Sequence, residues 1–233
     1  MKILLTLISL VMLLVSQAQA NMLVYPMLLK LSAEKEARAT LNVTSQSDTT
    51  QYVRVSLKEV LHPATPQEKE ADVANWQGQG IVISPMKFAL SAGATKTVRV
   101  ISLNKVNDER VFRAYFEPVS AEQNENVDKP KIQGQVALTL VWGVLIRQIP
   151  EKRIYTLQRE KDAVLINKGN VRVQLHSYSQ CEDSQRDDQC SWKEVNSRIY
   201  PKEKRPLSGI SANKPLRVRY LTEDEKLQSI KLF

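Results

Sequence analysis

Few residues of this 233-residue chain have types and spacing that invite chemistry. Cys181 and Cys190 stand with eight residues between them, and the only histidines are His62 and His176. A metal site built on them would need CxxC or HxxxH spacing, and neither occurs. The adjacent carboxylates Asp108/Glu109 and Asp187/Asp188 sit in polar turns, where a solvated surface is the default reading. The acidic run Glu182, Asp183, Asp187 and Asp188 lacks the spacing and the turn glycine of a calcium loop. No G-x-S-x-G elbow, P-loop, H-E-x-x-H or glycine-rich dinucleotide turn appears. Seven glycines in the whole chain leave little material for phosphate-cradling loops. The expectation is a protein that is not an enzyme and needs no cofactor or metal.

The compartment decides what the two cysteines do. Lys2 precedes a greasy run from Ile3 to Val15, followed by Ser16 and the small-residue pattern Ala18-Gln19-Ala20. A basic start, a short apolar core and an A-x-A end describe a secretory signal peptide over residues 1–20. The run is about thirteen residues, short of the roughly 20 that a spanning helix requires. An exported chain with two cysteines at this spacing is expected to close one local disulfide, Cys181–Cys190.

The elements that must position any site read as strands. Period-two alternation dominates and long helical stripes are absent. Candidate strands are Val24–Leu31, Arg38–Val43, Tyr52–Val60, Ile81–Ser84, Thr97–Leu103, Arg110–Pro118 and residues 135–148, separated by turn-rich segments. Seven strands in this span describe an immunoglobulin-type sandwich, placed at 21–150. Pro150 and its charged neighbours Glu151, Lys152 and Arg153 mark a boundary. Beyond it six further alternating runs, with Asn167-Lys168-Gly169-Asn170 as a strong turn, predict a second β-sandwich over 151–233. The fold class is all-β, and that length suits two domains of about 100 residues.

One strand is unusual. In "GQVALTLVWGVLIRQIP" (134–150) the even row is Val136, Leu138, Leu140, Trp142, Val144 and Ile146, all apolar. The odd row, Ala137, Thr139, Val141, Gly143, Leu145 and Arg147, offers little polar surface either. Either both faces are internal, or one belongs to another molecule. An edge strand this long and greasy is an aggregation hazard unless something pairs with it. Lent to a partner's incomplete sheet, its main chain would supply hydrogen bonds and its alternate side chains would fill pockets. Burying four of the even side chains would contribute about 6–12 kcal/mol before ordering costs.

The formal net charge is +8, and only Lys2 of the leader contributes to it. The charges are dispersed, and the densest cluster, Lys202 to Arg205, lacks the interleaved aromatics of a nucleic-acid surface. No nucleic-acid partner is expected, and an acidic protein or plain solvent is the complement of such a surface.

Taken together, Val24-Tyr25-Pro26, "NWQGQGIVISPMKFALSAGATKTVRV" at 75–100, "ERVFRAYFEPV" at 109–119, the strand ending at Pro150, and "NKGNVRVQL" with Cys181, Cys190 and Tyr200-Pro201 carry a resemblance. The chain resembles PapD-like periplasmic chaperones of pilus assembly, in particular the alternate, CfaA-like chaperones of class 5 colonisation-factor fimbriae. The resemblance implies two immunoglobulin-like domains set in an L, in the periplasm, without membrane insertion. It implies donor-strand complementation of fimbrial subunits and their delivery to an outer-membrane usher. The donated row would be Val136, Leu138 and Leu140, with Trp142 and Val144 extending it. Such an edge can also be capped by a second copy of the chain, in a homodimer. The family anchors a subunit's terminal carboxylate with an arginine on the first strand and a lysine on the donor strand. Here those positions fall near Leu28 to Lys30 and on Leu145, so Lys30, Arg54 and Arg147 are the candidate anchors. Glu109 matches the family's interdomain glutamate, with Arg147 or Arg153 as its partner. The alternative reading is an exported structural or adhesive immunoglobulin-like surface subunit.

Overall fold

Strands follow one another along the described residues: β1 (Met22–Tyr25), β2 (Leu28–Ser32), β3 (Arg38–Ser45), β4 (Gln51–Leu61), β5 (Lys69–Asp72), β6 (Ile81–Ser84), β7 (Lys87–Leu90), β8 (Thr95–Ser102), β9 (Arg110–Val119), β10 (Trp142–Ile149), β11 (Leu157–Glu160), β12 (Val164–Asn167), β13 (Val173–Ser179), β14 (Lys193–Ile199), β15 (Lys204–Pro206), β16 (Leu216–Leu221) and β17 (Leu227–Leu232). The structure is a computed structural model describing residues 21–32, 37–73, 80–119, 139–160, 163–182, 185–211 and 214–232. The signal peptide read at 1–20, and Val136 and Leu138, lie outside the described residues. No helix among the described residues is long and apolar enough to cross a membrane.

Alternation sorts the side chains as the period-two pattern requires. In β4, Val53, Val55 and Leu57 are buried while Arg54 and Ser56 are exposed. In β8, Val98 and Val100 are buried between exposed Thr97, Arg99 and Ile101. Two sheets, ordered β1-β3-β8-β6 and β2-β10-β9-β4-β5 with β7 also on β4, enclose one core. Two more, β11-β12-β15 and β14-β13-β16-β17, enclose a second around Leu165, Leu175, Ile199 and Val218. This is a two-domain, immunoglobulin-like, all-β fold.

Five strands depart from the expectation. The single run at Val24–Leu31 is two strands in different sheets: β1 pairs with β3, and β2 lies parallel to β10. Pro26 separates them, because it has no N–H to give to either ladder. Two short strands, β5 and β7, flank β4 where only turns were legible, and β15 was missed likewise. Runs of three or four residues, largely polar in β5 and β15, carry too little alternation to be read.

The Asn167–Asn170 turn shows why its residues are what they are. Asn167, fully buried, donates Nδ2 to Val171 O and Ile199 O at 2.9 Å each and accepts from Gly169 N. A Cβ on Gly169 would sit 2.2 Å from Ile154 O, so only glycine lets the turn approach the incoming strand this closely.

Candidate functional site

The two rows of β10 find different neighbours. On the even row, Val144 pairs with Ala114 and is 0% exposed, and Ile146 is equally buried in the first core. Trp142 packs half-buried at the rim of that core. The expectation that Val144 extends the donated row is therefore corrected: its side chain already fills its own domain. Leu140, just before β10, is 58% exposed, and Val141 beside it is exposed as well.

The odd row faces the second domain. Gly143 lies beneath Tyr115 and Arg113, which a Cβ would meet at 3.3 and 3.4 Å. Leu145 packs against a small apolar cluster of Val60, Val111 and the second domain's Tyr200. Arg147 is 0% exposed. So one face of the strand is covered by its own core from about Trp142 onward, and the other by the second domain from Leu145 onward.

Pairing along the edges follows the same division. β9 pairs with β10 over Trp142–Gln148, whereas β2 covers only Leu145–Ile149, the first contact being Leu145 N to Met27 O at 3.0 Å. Among the described residues, none pairs with residues 142–144 on the β2 side, so that edge is open there. Tyr25, Met27 and Leu28, on the strands leading to that end, are exposed. An open backbone edge bordered by exposed apolar side chains is suited to receive an added strand.

Behind the strand, the domains are joined by a buried ion cluster. Arg147 Nε donates to Glu109 Oε1 at 2.6 Å, and Nη1 and Nη2 donate to the two oxygens of Glu223 at 2.8 and 2.7 Å. Glu109 Oε2 accepts the main-chain N–H of Arg172, and Lys30 Nζ reaches Glu223 Oε1 at 2.7 Å. Burial opposes ionisation of Glu223, but the hydrogen bonds and charges of Arg147 and Lys30 prevail and hold its pKa at about 2. The Arg147 guanidinium loses solvation by burial yet is raised by Glu109 and Glu223.

The sequence-derived cations therefore separate. Arg147 is corrected as a carboxylate anchor, since its guanidinium is buried and engaged by two glutamates. Of the two partners considered for Glu109, Arg147 reaches it, while Arg153 pairs with Asp224 at 2.8 Å. Arg54 holds Glu117 at 2.8 Å, and it sits six residues along β4 from Val60, about 20 Å from the domain junction. That distance removes it from the same site. Lys30 alone of the three lines the cleft between the domains. Glu223 and Arg172 were not foreseen: Thr222-Glu223-Asp224-Glu225 reads as an ordinary acidic turn, and nothing in its spacing announces a buried member.

Other sequence candidates have structural roles. The Cys181–Cys190 disulfide is formed. The acidic loop it closes is not merely solvated: Arg217 donates to Asp187 Oδ1 and to the carbonyls of Glu182 and Gln185, and Arg219 stacks 3.7 Å over Trp192. Glu109 is buried, whereas its neighbour Asp108 stays at the surface with Lys202. His62 Nδ1 lies 3.1 Å from Glu203 Oε1 across the domain junction. The 202–205 basic cluster is thus part of the interdomain contact.

A sandwich pair with an open, apolar strand edge and an ion-locked domain junction defines a binding protein of the pilus-chaperone class. The comparisons agree. No protein-family model matches the chain. A curated relative from Escherichia coli, named as a fimbrial subunit of CFA/I, is 34% identical over 190 residues, covering 79% of this chain and 78% of the relative. The solved class 5 fimbriae chaperone CfaA superposes with a TM-score of 0.76 at 27% identity, over 91% of this chain and 99% of its own. A protein from a chaperone–tip adhesin complex of CFA/I fimbriae biogenesis gives 0.77 at 29% identity, over 91% and 97%. The chain belongs to the PapD-like family of pilus-assembly chaperones, with the CfaA-like members of class 5 fimbriae. Its role is that of a fimbrial chaperone, a class that binds rather than catalyses.

Proposed function

We propose that the chain binds fimbrial subunits in the periplasm by donor-strand complementation and hands them to an outer-membrane usher. The observation that carries this reading is the open edge at the start of β10, with Leu140 emerging from the sandwich beside it. The donated row is then Val136, Leu138 and Leu140, with Trp142 at its end, packed half into its own core. A subunit lacking a strand gains main-chain pairing along this edge, and the three aliphatic side chains enter its core. Release needs no nucleotide, since a strand from another subunit replaces the chaperone's. The test is co-expression with a fimbrial subunit: Leu138→Asp with Leu140→Asp leaves the chaperone folded and abolishes subunit recovery. Undiminished recovery removes the mechanism.

A second reading, an exported structural or adhesive subunit, is favoured by the name of the curated relative, a fimbrial subunit. Size-exclusion chromatography separates the two. A monomer or dimer that forms 1:1 complexes with a subunit is a chaperone, and a self-polymerising ladder is a subunit.

A further inference from the structure

One residue stitches three segments together at the domain junction. Asn170 donates Nδ2 to Asn107 O of the first domain and to Lys152 O of the linker, at 2.9 and 2.8 Å. Its Oδ1 accepts from Ile154 N at 2.7 Å. Its main-chain N–H reaches Ile154 O, and its carbonyl accepts from Glu109 N. With side-chain amide and main chain both engaged, the linker 150–154 is held between the loop 105–108 and the turn 168–170.

Over this floor runs a groove of about 760 Å³, lined by all three segments and by Lys202. It shares no residue with the cleft that Lys30 lines. Val106, Pro150 and Ile154 give it an apolar bed, and Ile154 is 47% exposed. Four lysines border it, Lys105, Lys152, Lys168 and Lys202, against two carboxylates, Asp108 and Glu151. Both carboxylates are taken, Glu151 by Lys105 at 2.6 Å and Asp108 by Lys202 at 2.5 Å. The other acids of the junction are engaged elsewhere: Glu109 and Glu223 on Arg147, Glu203 beside His62, and Asp224 on Arg153. Glu225 lines the cleft instead. Lys152 and Lys168 stand exposed and take part in no ion pair among the described residues.

Two ammonium groups without a counter-charge, beside exposed aliphatic surface, fit a ligand that is both anionic and apolar. A small inorganic anion is held by convergent donors, whereas these lysines are exposed and spread over separate segments. A lipid surface is flat, and the bed of Val106, Pro150 and Ile154 is a recess. An extended peptide with carboxylates on either side of an aliphatic residue matches both the charge and the shape. The hydrogen-bonded floor has little order left to lose when it binds.

We propose that this groove docks an acidic segment of a partner protein, whose carboxylates meet Lys152 and Lys168 while an aliphatic side chain covers Ile154. The site stands apart from the donor edge and goes beyond the chaperone reading. Because it touches both domains and the linker, its occupant bears on both domains at once.

The probes are three N-acetylated, C-amidated pentapeptides titrated into the full protein: Glu-Glu-Leu-Glu-Glu, Glu-Glu-Ser-Glu-Glu and the neutral Gln-Gln-Leu-Gln-Gln. Methyl NMR signals of Val106 and Ile154 report occupancy. The acidic leucine peptide shifts both signals to saturation, weakens as salt rises, and binds at least threefold tighter than the serine peptide. The neutral peptide does not bind. Lys152→Glu with Lys168→Glu weakens binding at least tenfold, with circular dichroism and melting temperature matching the parent. Lys87→Glu with Lys96→Glu, the same change of net charge on exposed positions of β7 and β8, leaves binding unchanged. Ile154→Ser, which alters no charge, weakens it at least threefold. Equal losses in the two charge-reversed proteins mean attraction to net charge alone and overturn the site. Absence of saturable binding, or equal binding of the neutral peptide, overturns it too. Phosphatidylglycerol vesicles that shift the same methyls, where the acidic peptide does not, assign the groove to a lipid surface and overturn the peptide. Leu140→Asp binds the peptide as the parent does; loss there places the site on the donor edge and overturns the groove.

Discussion

Arg147 and Glu223 face each other across the domain junction with both guanidinium Nη atoms on both carboxylate oxygens, at 2.8 and 2.7 Å. One comes from β10 of the first domain and the other from the turn after β16 in the second. Neither is exposed by more than 5%. The pair is therefore not a surface ion pair worth a fraction of a kcal/mol. Its desolvation is met by Glu109 and Lys30, and its value lies in fixing how the domains meet.

Removing one member strands the others. Arg147→Ala leaves Glu109 and Glu223 buried together and is expected to cost about 3–5 kcal/mol. Arg147→Met, which fills the space, still leaves Glu109 without its cation and Glu223 without its bidentate partner, and combining it with Glu109→Gln and Glu223→Gln recovers most of the loss. Urea denaturation of the four proteins measures this. A loss under about 1 kcal/mol for Arg147→Ala would show that the cluster does not hold the junction.

The same cluster sets a pH dependence. Glu223 titrates at about 2 in the folded chain, below its ordinary 4.5. A depressed carboxylate stabilises the fold fully above its ordinary pKa, and that contribution is lost as pH falls through about 2. The loss across pH 4.5 to 2 amounts to about 3 kcal/mol. Urea midpoints followed from pH 5 to 2 should fall more steeply in the parent than in Glu223→Gln. Parallel curves would contradict the assignment.

The two ends of the apolar row respond differently to charge. Val144→Asp puts a carboxylate into the first core and is expected to cost about 4 kcal/mol or more. Leu140→Asp changes an exposed side chain and stays within about 0.5 kcal/mol. Thermal melts of the two variants decide whether the row divides where the structure divides it, between Leu140 and Val144.

Gly169→Ala tests the turn. Its methyl would lie 2.2 Å from Ile154 O, against backbone that has no rotamer to yield. A loss of about 2 kcal/mol or more is expected, with Asn167 no longer able to keep its three hydrogen bonds. A melting temperature equal to the parent's would mean that the incoming strand moves aside freely.

Strand identity was legible from residue order because a strand's two faces are written two residues apart, within any window of six. β4, β8 and β9 could be read that way, and so could the Gly169 turn. The apolar even row from Val136 to Ile146 was equally plain in the sequence. Alternation cannot say where along such a row one core ends and a neighbour's begins, because every member is apolar. Only the packed first core, which buries Val144 and leaves Leu140 exposed, divides the two. The ion cluster was less legible still. Glu109 lies 38 positions from Arg147, and Glu223 lies 76 positions away. A charge acquires its meaning from the dielectric and the partners around it, and those are assembled only when two separately patterned sandwiches are brought together.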